Sequence, residues 1–279
     1  MHTLIADSES TKTQWRLINE TGLTADEFFT PGVNPAVMPA AQADTAICSA
    51  LRKRRLSPAR VYYYGAGCTA ERKFVVENAL RKVYPQAEAI AVESDLLAAV
   101  RALCGDAEGI ACILGTGMAS CLWSGGAIVS QTPSLGYVLG DEGSGAVLGR
   151  IFLGSLLKGA LPPTVREAWQ AEYGLSAAEV IERVYREAQP NRFLASFAPF
   201  ILQHTSDAQV HDLVVGEFRR FFRRNIVPYG RKDLPVNFVG SVATHFLPLL
   251  REAAETEGFE VRDVLQTPMD ALVRYHSIH

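Results

Sequence analysis

The first stretch that could do chemistry is DSESTKT, which begins at Asp7 directly after an apolar run. A strand that ends in an acidic residue, followed by hydroxyl side chains and a lysine, is typical of turns that hold nucleotide phosphates and magnesium. Glu9 lies in the middle of this turn. At an effective dielectric constant of about 20, two like charges ~4 Å apart repel by roughly 4 kcal/mol. A phosphate site here therefore requires the Glu9 carboxylate to lie against the metal or to turn outward, and we favour the outward rotation.

Two further apolar runs end in glycine turns. ILGTGMAS contains Gly115, Thr116 and Gly117, and FVGSVA contains Gly240 and Ser241. Backbone amides in tight turns form concave anion sites, and glycine lets the chain approach a phosphate closely. A lone Gly-x-Gly is a weak signal, but three such turns at matching points of a repeated pattern favour a nucleotide site.

The elements around these turns follow the same order twice. Apolar alternation predicts strands at residues 2–6, 14–19 and 25–30. Helical periodicity predicts helices at residues 36–54, 69–83 and 95–103, with Thr69 as the N-cap of the second and strands ARVYYYGAG and AEAIAVES between them. This β-β-β-α-β-α-β-α order restarts at residue 109, where a hairpin turns at Gly125 and Gly126. An internal duplication of about 110 residues explains the pattern.

The second copy carries inserted helices, which we predict at residues 146–157, 177–187, 192–203, 210–225 and 245–257, before a last helix from Pro268. We expect residues 1–108 to form one α/β domain and residues 109–262 a second. Residues 263–279 should pack back on the first domain as a C-terminal helix. No long linker separates the halves, so a cleft between them is expected.

Composition narrows the class of protein. The chain has 279 residues, 48% hydrophobic and 20% charged, and a net charge of −3, which gives no reason to expect nucleic acid or an acidic membrane as partner. Five cysteines without a Cys-x-x-Cys pair favour reduced core thiols. No signal peptide precedes the first strand, and no apolar run is long enough to cross a bilayer. These features predict a cytoplasmic protein.

Three motifs of the sequence resemble those of a known protein superfamily. DSESTKT, ILGTGMAS and FVGSVA resemble the first phosphate, second phosphate and adenosine motifs of the actin–hexokinase–heat-shock-chaperone superfamily. GVNP, ESDLLAAVRA and GYVLGDEGSGAVLGR are similar to stretches of the N-acetylglucosamine kinases and the BadF/BadG/BcrA/BcrD-type ATPases. The resemblance covers essentially the whole chain. It implies two ribonuclease-H-like (actin-like ATPase) domains around a nucleotide cleft, with ATP and Mg²⁺ as cofactors.

The resemblance also implies a role for individual residues. Asp7 would hold the magnesium through water, and Asp95 would be the catalytic base that also contacts the sugar. The other implied positions are Ser10, Thr11, Lys12, Gly115, Thr116, Gly117, Gly240 and Ser241 for the nucleotide, and Asn34, Gly136 and Asp141 for the sugar. The expected activity is ATP-dependent phosphorylation of N-acetylglucosamine or a related N-acetyl hexosamine. Whether the chain forms a homodimer is left open by the sequence.

Other interpretations stay open at this stage. Asp95 could be a helix N-cap, Asp141 and Glu142 could be turn residues, and Lys12 could be an ordinary solvated lysine. The chain also departs from the family pattern at Glu9, which replaces a glycine, and at Met118 and Ala119, which stand where relatives commonly have polar residues. A nucleotide or sugar sensor without catalysis is therefore one alternative. An ATPase that acts on a protein partner is another, although the scattered cysteines offer no iron–sulfur arrangement.

Overall fold

The structure is a computed structural model that describes residues 2–9 and 12–278. The chain divides into two compact units. The first comprises residues 1–106 together with 267–279, and the second comprises residues 107–266. Strand pairing keeps residues 263–265 in the second unit, so the chain returns to the first unit at residue 267.

The first unit contains a five-stranded sheet in the order β3-β2-β1-β4-β5. The first three strands form antiparallel pairs, whereas β4 and β5 continue the sheet from β1 in parallel. The strands are β1 (Thr3–Ser8), β2 (Lys12–Ile18), β3 (Thr24–Pro31), β4 (Arg60–Gly65) and β5 (Ala89–Ser94). The helices are α1 (Ala40–Arg52), α2 (Lys73–Val83), α3 (Asp95–Leu103) and the C-terminal helix (Met269–Ile278).

Both faces of β1 are buried, which explains its continuous apolar run. Leu4 and Ala6 belong to the core cluster that includes residues of α1 and α2. Ile5 points to the opposite face and packs in a separate cluster with Met269 and Leu272 of the C-terminal helix. The C-terminal helix thus completes the core of the first unit.

The second unit repeats this sheet in the order β8-β7-β6-β9-β10, with the same antiparallel and parallel pairs. The predicted duplicated α/β core is therefore confirmed. The strands are β6 (Gly109–Leu114), β7 (Met118–Ser124), β8 (Ala127–Thr132), β9 (Val236–Val239) and β10 (Val261–Leu265). The helices are α4 (Gly136–Leu139), α5 (Gly145–Leu157), α6 (Pro163–Glu172), α7 (Ala177–Tyr185), α8 (Pro190–Ala195), α9 (Ala198–Gln203), α10 (Ala208–Phe221), α11 (Ser241–His245) and α12 (Leu247–Glu257), and a π-helical turn (Phe222–Ile226) follows α10.

Several predicted helix boundaries are wrong, and proline accounts for two of them. The single helix expected at residues 192–203 is divided into α8 and α9, because Pro199 has no N–H to continue the hydrogen-bond ladder. Pro248 acts in the same way at the start of α12. Thr69 is not an N-cap, because α2 begins only at Lys73 and the Thr69 carbonyl closes the preceding turn. Helices α4 and α6 were not predicted.

Other expectations about the core are confirmed. Trp15 and Trp123, which lie on strands, are both buried. Four cysteines are buried, and Cys104 is partly exposed. Within residues 2–9 and 12–278, none of the helices has both the length and the apolar character needed to cross a membrane.

We predict that Glu257, at the end of α12, makes the stability of the protein depend on pH. Arg219 Nε and Arg223 Nε each donate to this carboxylate at 2.8 Å. The hydrogen bond from Arg223, helped by Arg219 and opposed by burial, holds the pKa of Glu257 below its ordinary value. A carboxyl whose pKa is lowered on folding stabilises the protein above its unfolded pKa of about 4.3, and this contribution is lost as the pH falls. We expect Glu257→Gln to lower Tm near neutral pH and the difference from wild type to shrink in acid.

Thermal unfolding followed by circular dichroism over a pH series measures this difference. Glu260→Gln is the matched control, because Glu260 is an exposed glutamate close to the same helix end, and its Tm should follow wild type throughout. A Tm difference for Glu257→Gln that stays constant into acid would contradict the prediction.

Candidate active site

The ends of three parallel strands place two carboxylates at one edge of the first sheet. Ser8 of β1 is in register with Gly65 of β4, which is in register with Ser94 of β5. Asp7 lies just before the first of these ends, and Asp95 follows the last. Strands are spaced by about 4.8 Å, so the two backbones lie on the order of 10 Å apart.

Asp7 is buried, and its surroundings suit a bound cation. Burial is the main cause that raises its pKa to about 7, and the nearby negative charges of Glu9 and Asp95 raise it further. Lys12 acts in the opposite direction. A carboxylate that is desolvated and close to other acids favours a metal ion, because the ion's charge removes the repulsion. No cluster of three or more acidic, His or Cys ligands occurs among the described residues.

Asp95 is the first residue of α3, but it is not the N-cap. Ser94 occupies that position and accepts a hydrogen bond from the Leu97 amide at 3.2 Å. The Asp95 carboxylate accepts one from the Leu96 amide at 2.9 Å. Burial raises the pKa of Asp95, although backbone hydrogen bonds oppose the shift. The helix therefore does not need Asp95 as its cap, and the side chain combines partial exposure with a raised pKa, as a proton acceptor requires.

The loop after β3 lies against the end of β1. Ser8 Oγ lies 2.7 Å from Thr13 Oγ1 and donates to the Val33 carbonyl at 3.4 Å. Asn34 Oδ1 accepts from the Ala36 amide at 3.0 Å. A Cβ on Gly67 would come within 2.0 Å of that oxygen. Asn34 is thus fixed near the strand that bears Asp7.

The polar turn itself is described only at its ends. Ser10 and Thr11, the predicted phosphate contacts, lie outside the described residues. The Glu9 amide donates to the Lys12 carbonyl at 2.9 Å, which closes the turn. Glu9 and Lys12 are both exposed. The Lys12 ammonium also lies 5.9 Å from the centroid of the Phe29 ring, so the solvated interpretation of this lysine stays open beside its predicted phosphate role.

The exposure of Glu9 leads to a prediction for nucleotide affinity. An exposed charge is screened by water, so we expect Glu9→Gln to change the KM for ATP by less than about fivefold. Steady-state kinetics at fixed magnesium measures this change. Asp7→Asn is the comparison, and it should raise the KM for ATP by at least about tenfold, because the predicted magnesium site would lose its carboxylate. A hundredfold gain in affinity for Glu9→Gln would mean that the carboxylate points at the phosphates.

In the second unit, the glycine turn after β6 meets the start of α5. The Gly115 and Thr116 carbonyls accept from the amides of Gly145 and Ala146 at 2.8 and 3.1 Å. The turn is closed by the Gly115 amide, which donates to the Gly117 carbonyl at 3.0 Å. The start of α5 is therefore fixed directly beside the predicted phosphate turn, and its first two amides are bonded to that turn.

A cavity of about 530 Å³ opens beside this turn. Gly115, Thr116 and Ser241 line it, whereas Gly117 and Gly240 do not. Most of its remaining wall was not predicted from the sequence, because it comes from α8, α9 and α11. Those lining residues are Gly145, Ala195, Ser196, Ala198, Pro199, Leu202, Gln203, Val242, His245 and Phe246.

The predicted sugar contacts Gly136 and Asp141 are brought together. Burial raises the pKa of Asp141 to about 6, and a hydrogen bond from the Gly136 backbone opposes this shift. A Cβ added to Gly117 would lie 3.1 Å from Asp141 Oδ2, so the Asp141 carboxylate lies close to the glycine turn. Glu142 is buried and accepts hydrogen bonds from Arg224 and Asn225. It is therefore an anchored residue and not simply a turn residue. Met118 is a core side chain of the second unit.

Similarity to known proteins identifies the family of this chain. No family model and no curated protein matches it. Among solved structures, a proposed N-acetylglucosamine kinase from Porphyromonas gingivalis is 47% identical, with a TM-score of 0.95 over 99% of each chain. A proposed N-acetylglucosamine kinase from Chromobacterium violaceum is 18% identical, with a TM-score of 0.76 over 98% of each chain. A ROK family glucokinase from Streptomyces griseus, in complex with glucose and AMPPNP, is 16% identical, with a TM-score of 0.55 over 100% of this chain and 99% of that one. The chain therefore belongs to the N-acetylglucosamine kinase family, whose members are sugar kinases with the actin-like ATPase fold.

Proposed function

We propose that the protein is a kinase that uses ATP and Mg²⁺ to phosphorylate N-acetylglucosamine or a related N-acetyl hexosamine. The observation that carries this proposal is the pair Asp7 and Asp95 at one sheet edge, both with a raised pKa. The 47% identity to the Porphyromonas gingivalis protein, itself proposed to act on N-acetylglucosamine, supports the substrate class.

The second unit would bind the nucleotide. Its cavity of about 530 Å³ lies within the usual size of small-ligand pockets, roughly 300–1,000 Å³. Apolar side chains such as Leu202 and Phe246 suit a purine base, and the glycine turn offers backbone amides to phosphate. The glucokinase structure that contains AMPPNP has the same fold and supports ATP as the nucleotide.

Asp95 would act as general base. A hydroxyl proton of the sugar moves to the Asp95 carboxylate, the sugar oxygen forms a bond to the γ-phosphorus, and the bond from that phosphorus to ADP breaks. Magnesium, held by Asp7 through water, would neutralise part of the phosphate charge. Asn34, Gly136 and Asp141 would orient the sugar. Because phosphoryl transfer depends mostly on positioning and charge, these contacts account for most of what the protein must contribute.

ADP release from Mg-ATP tests the function with N-acetylglucosamine, N-acetylmuramic acid, glucosamine, glucose and no sugar. We expect ADP to form with an N-acetyl hexosamine and not in the absence of sugar. ATP binding without turnover on any sugar would favour the sensor. ADP formation without sugar would favour an ATPase that acts on a protein partner. We further propose the cytoplasm as the compartment, since ATP is the co-substrate, and light scattering would test for a homodimer.

A further inference from the structure

Glu142 fastens the loop that carries Asp141 to the end of α10. Arg224 Nη1 donates to Glu142 Oε1 at 2.8 Å, and Asn225 Nδ2 donates to Oε2 at 3.2 Å. Both donors belong to the π-helical turn Phe222–Ile226. Each oxygen of the Glu142 carboxylate therefore has a donor from this one turn. These hydrogen bonds hold the pKa of Glu142 below its ordinary value even though burial acts strongly against the charged form.

The two donors to Glu142 are adjacent residues of the π-helical turn. Adjacent residues of an α-helix point about 100° apart, so neighbours seldom reach the same group. Here Arg224 and Asn225 contact one carboxylate. The Asn225 amide is also held by the Phe221 carbonyl at 3.3 Å. Such wider turns are rare and occur frequently at functional sites.

Asp141 has an uncommon backbone conformation, and one of its carboxylate oxygens lacks a hydrogen-bond partner among the described residues. Its φ is +54°, in the left-handed region that a residue with a Cβ rarely adopts. Its Oδ1 atom is buried and has no hydrogen-bond partner within residues 2–9 and 12–278. Such a conformation persists where neighbouring contacts hold the loop. The adjacent anchor is Glu142, and the Gly143 amide adds a weaker bond to Glu217 Oε1 at 3.4 Å.

We propose that Glu142 is a positioning residue, whose bonds to Arg224 and Asn225 hold the Asp141 carboxylate in the orientation that receives the sugar. The proposal rests on the proposed kinase function, because it takes Asp141 as a sugar contact. In this proposal a hydroxyl group of the sugar donates a hydrogen bond to the buried Oδ1 atom of Asp141 and so supplies its missing partner. It also gives the π-helical turn a role in substrate affinity that neither the motif nor the fold assigns.

Glu142→Gln is the test variant, because glutamine keeps the shape but places an N–H group where Arg224 or Asn225 already donates. We expect kcat/KM for the sugar to fall about 10- to 100-fold, the loss typical of hydrogen bonds to a charged group. The KM for ATP should stay within about twofold. Hydrogen–deuterium exchange should show faster exchange of the backbone amides at residues 141–144.

Glu108→Gln is the matched control, because Glu108 also receives one arginine donor and a second side-chain donor in the same unit, Arg231 and Ser124, away from the π-helical turn. It should leave the sugar kinetics and the exchange at residues 141–144 unchanged. The proposal is overturned if Glu142→Gln keeps the wild-type kcat/KM for the sugar, or if the KM for ATP rises in parallel with that for the sugar. Arg224→Gln, at a mostly exposed side chain, should give a smaller fall of the same kind and serves if Glu142→Gln does not fold.

The exchange measurement separates this proposal from the proposed function. If wild-type protein phosphorylates no sugar, the kinase function fails, and the amide exchange at residues 141–144 still decides whether Glu142 holds the loop. Unchanged exchange in Glu142→Gln would overturn the positioning role under either outcome.

Discussion

Asp95→Asn is expected to reduce kcat by about 10²–10⁴-fold, the usual contribution of general base catalysis. Asparagine matches the shape of aspartate, and its carbonyl oxygen can still accept the hydrogen bond from the Leu96 amide that the structure shows at 2.9 Å. It cannot accept the proton of the sugar hydroxyl. Because the substitution leaves the cavity of the second unit intact, the dissociation constant for ATP should stay nearly unchanged. Steady-state ADP release and calorimetric titration of ATP measure the two quantities.

Asp270→Asn provides a matched control for this substitution. Asp270 also lies in the first turn of a helix of the first unit, and it forms an ion pair with Arg16. It is exposed, so its loss should change neither kcat nor the affinity for ATP. Turnover by Asp95→Asn at the wild-type rate would show that Asp95 is not the base.

Gly240→Ala should give the largest loss of stability among the predicted nucleotide residues. Gly240 has φ of +128°, and a Cβ there would lie 2.2 Å from the Leu114 carbonyl oxygen and 2.7 Å from its carbon. Neither contact can be relieved by a side-chain rotation, since both atoms belong to the backbone of β6. Backbone strain and overpacking each cost about 1–3 kcal/mol, so we expect the free energy of unfolding to fall by about 3 kcal/mol or more. Urea denaturation measures this loss.

Gly216→Ala is the control for glycine replacement. Gly216 lies inside α10, and a Cβ there would meet nothing within 4 Å. Alanine should stabilise that helix by about 0.5–1 kcal/mol. If Gly240→Ala were as stable as wild type, the close approach of this turn to β6 would not be a constraint on the fold.

Much of the framework could be predicted because its signals are local. The apolar run before Asp7 and the glycines after β6 and β9 mark strand ends, and the bounds of α3, Asp95–Leu103, agree with its predicted range. The wall of the cavity could not be predicted, because it depends on the break between α8 and α9. The partners of Glu142 could not be predicted either. They lie 82 and 83 residues away in the sequence, in a π-helical turn for which the sequence gives no periodic signal.

The C-terminal helix has a consequence for synthesis on the ribosome. Its Met269 and Leu272 cover Ile5, and Arg16 of β2 contacts Asp270 across 254 positions of sequence. The second unit is continuous, whereas the first must wait for the helix that covers one face of its sheet. At about 5–20 residues per second, the intervening 160 residues take on the order of 10–30 s to translate. During that interval Ile5 lacks the cover that Met269 and Leu272 later provide, and α3 alone can pack on that face of the sheet.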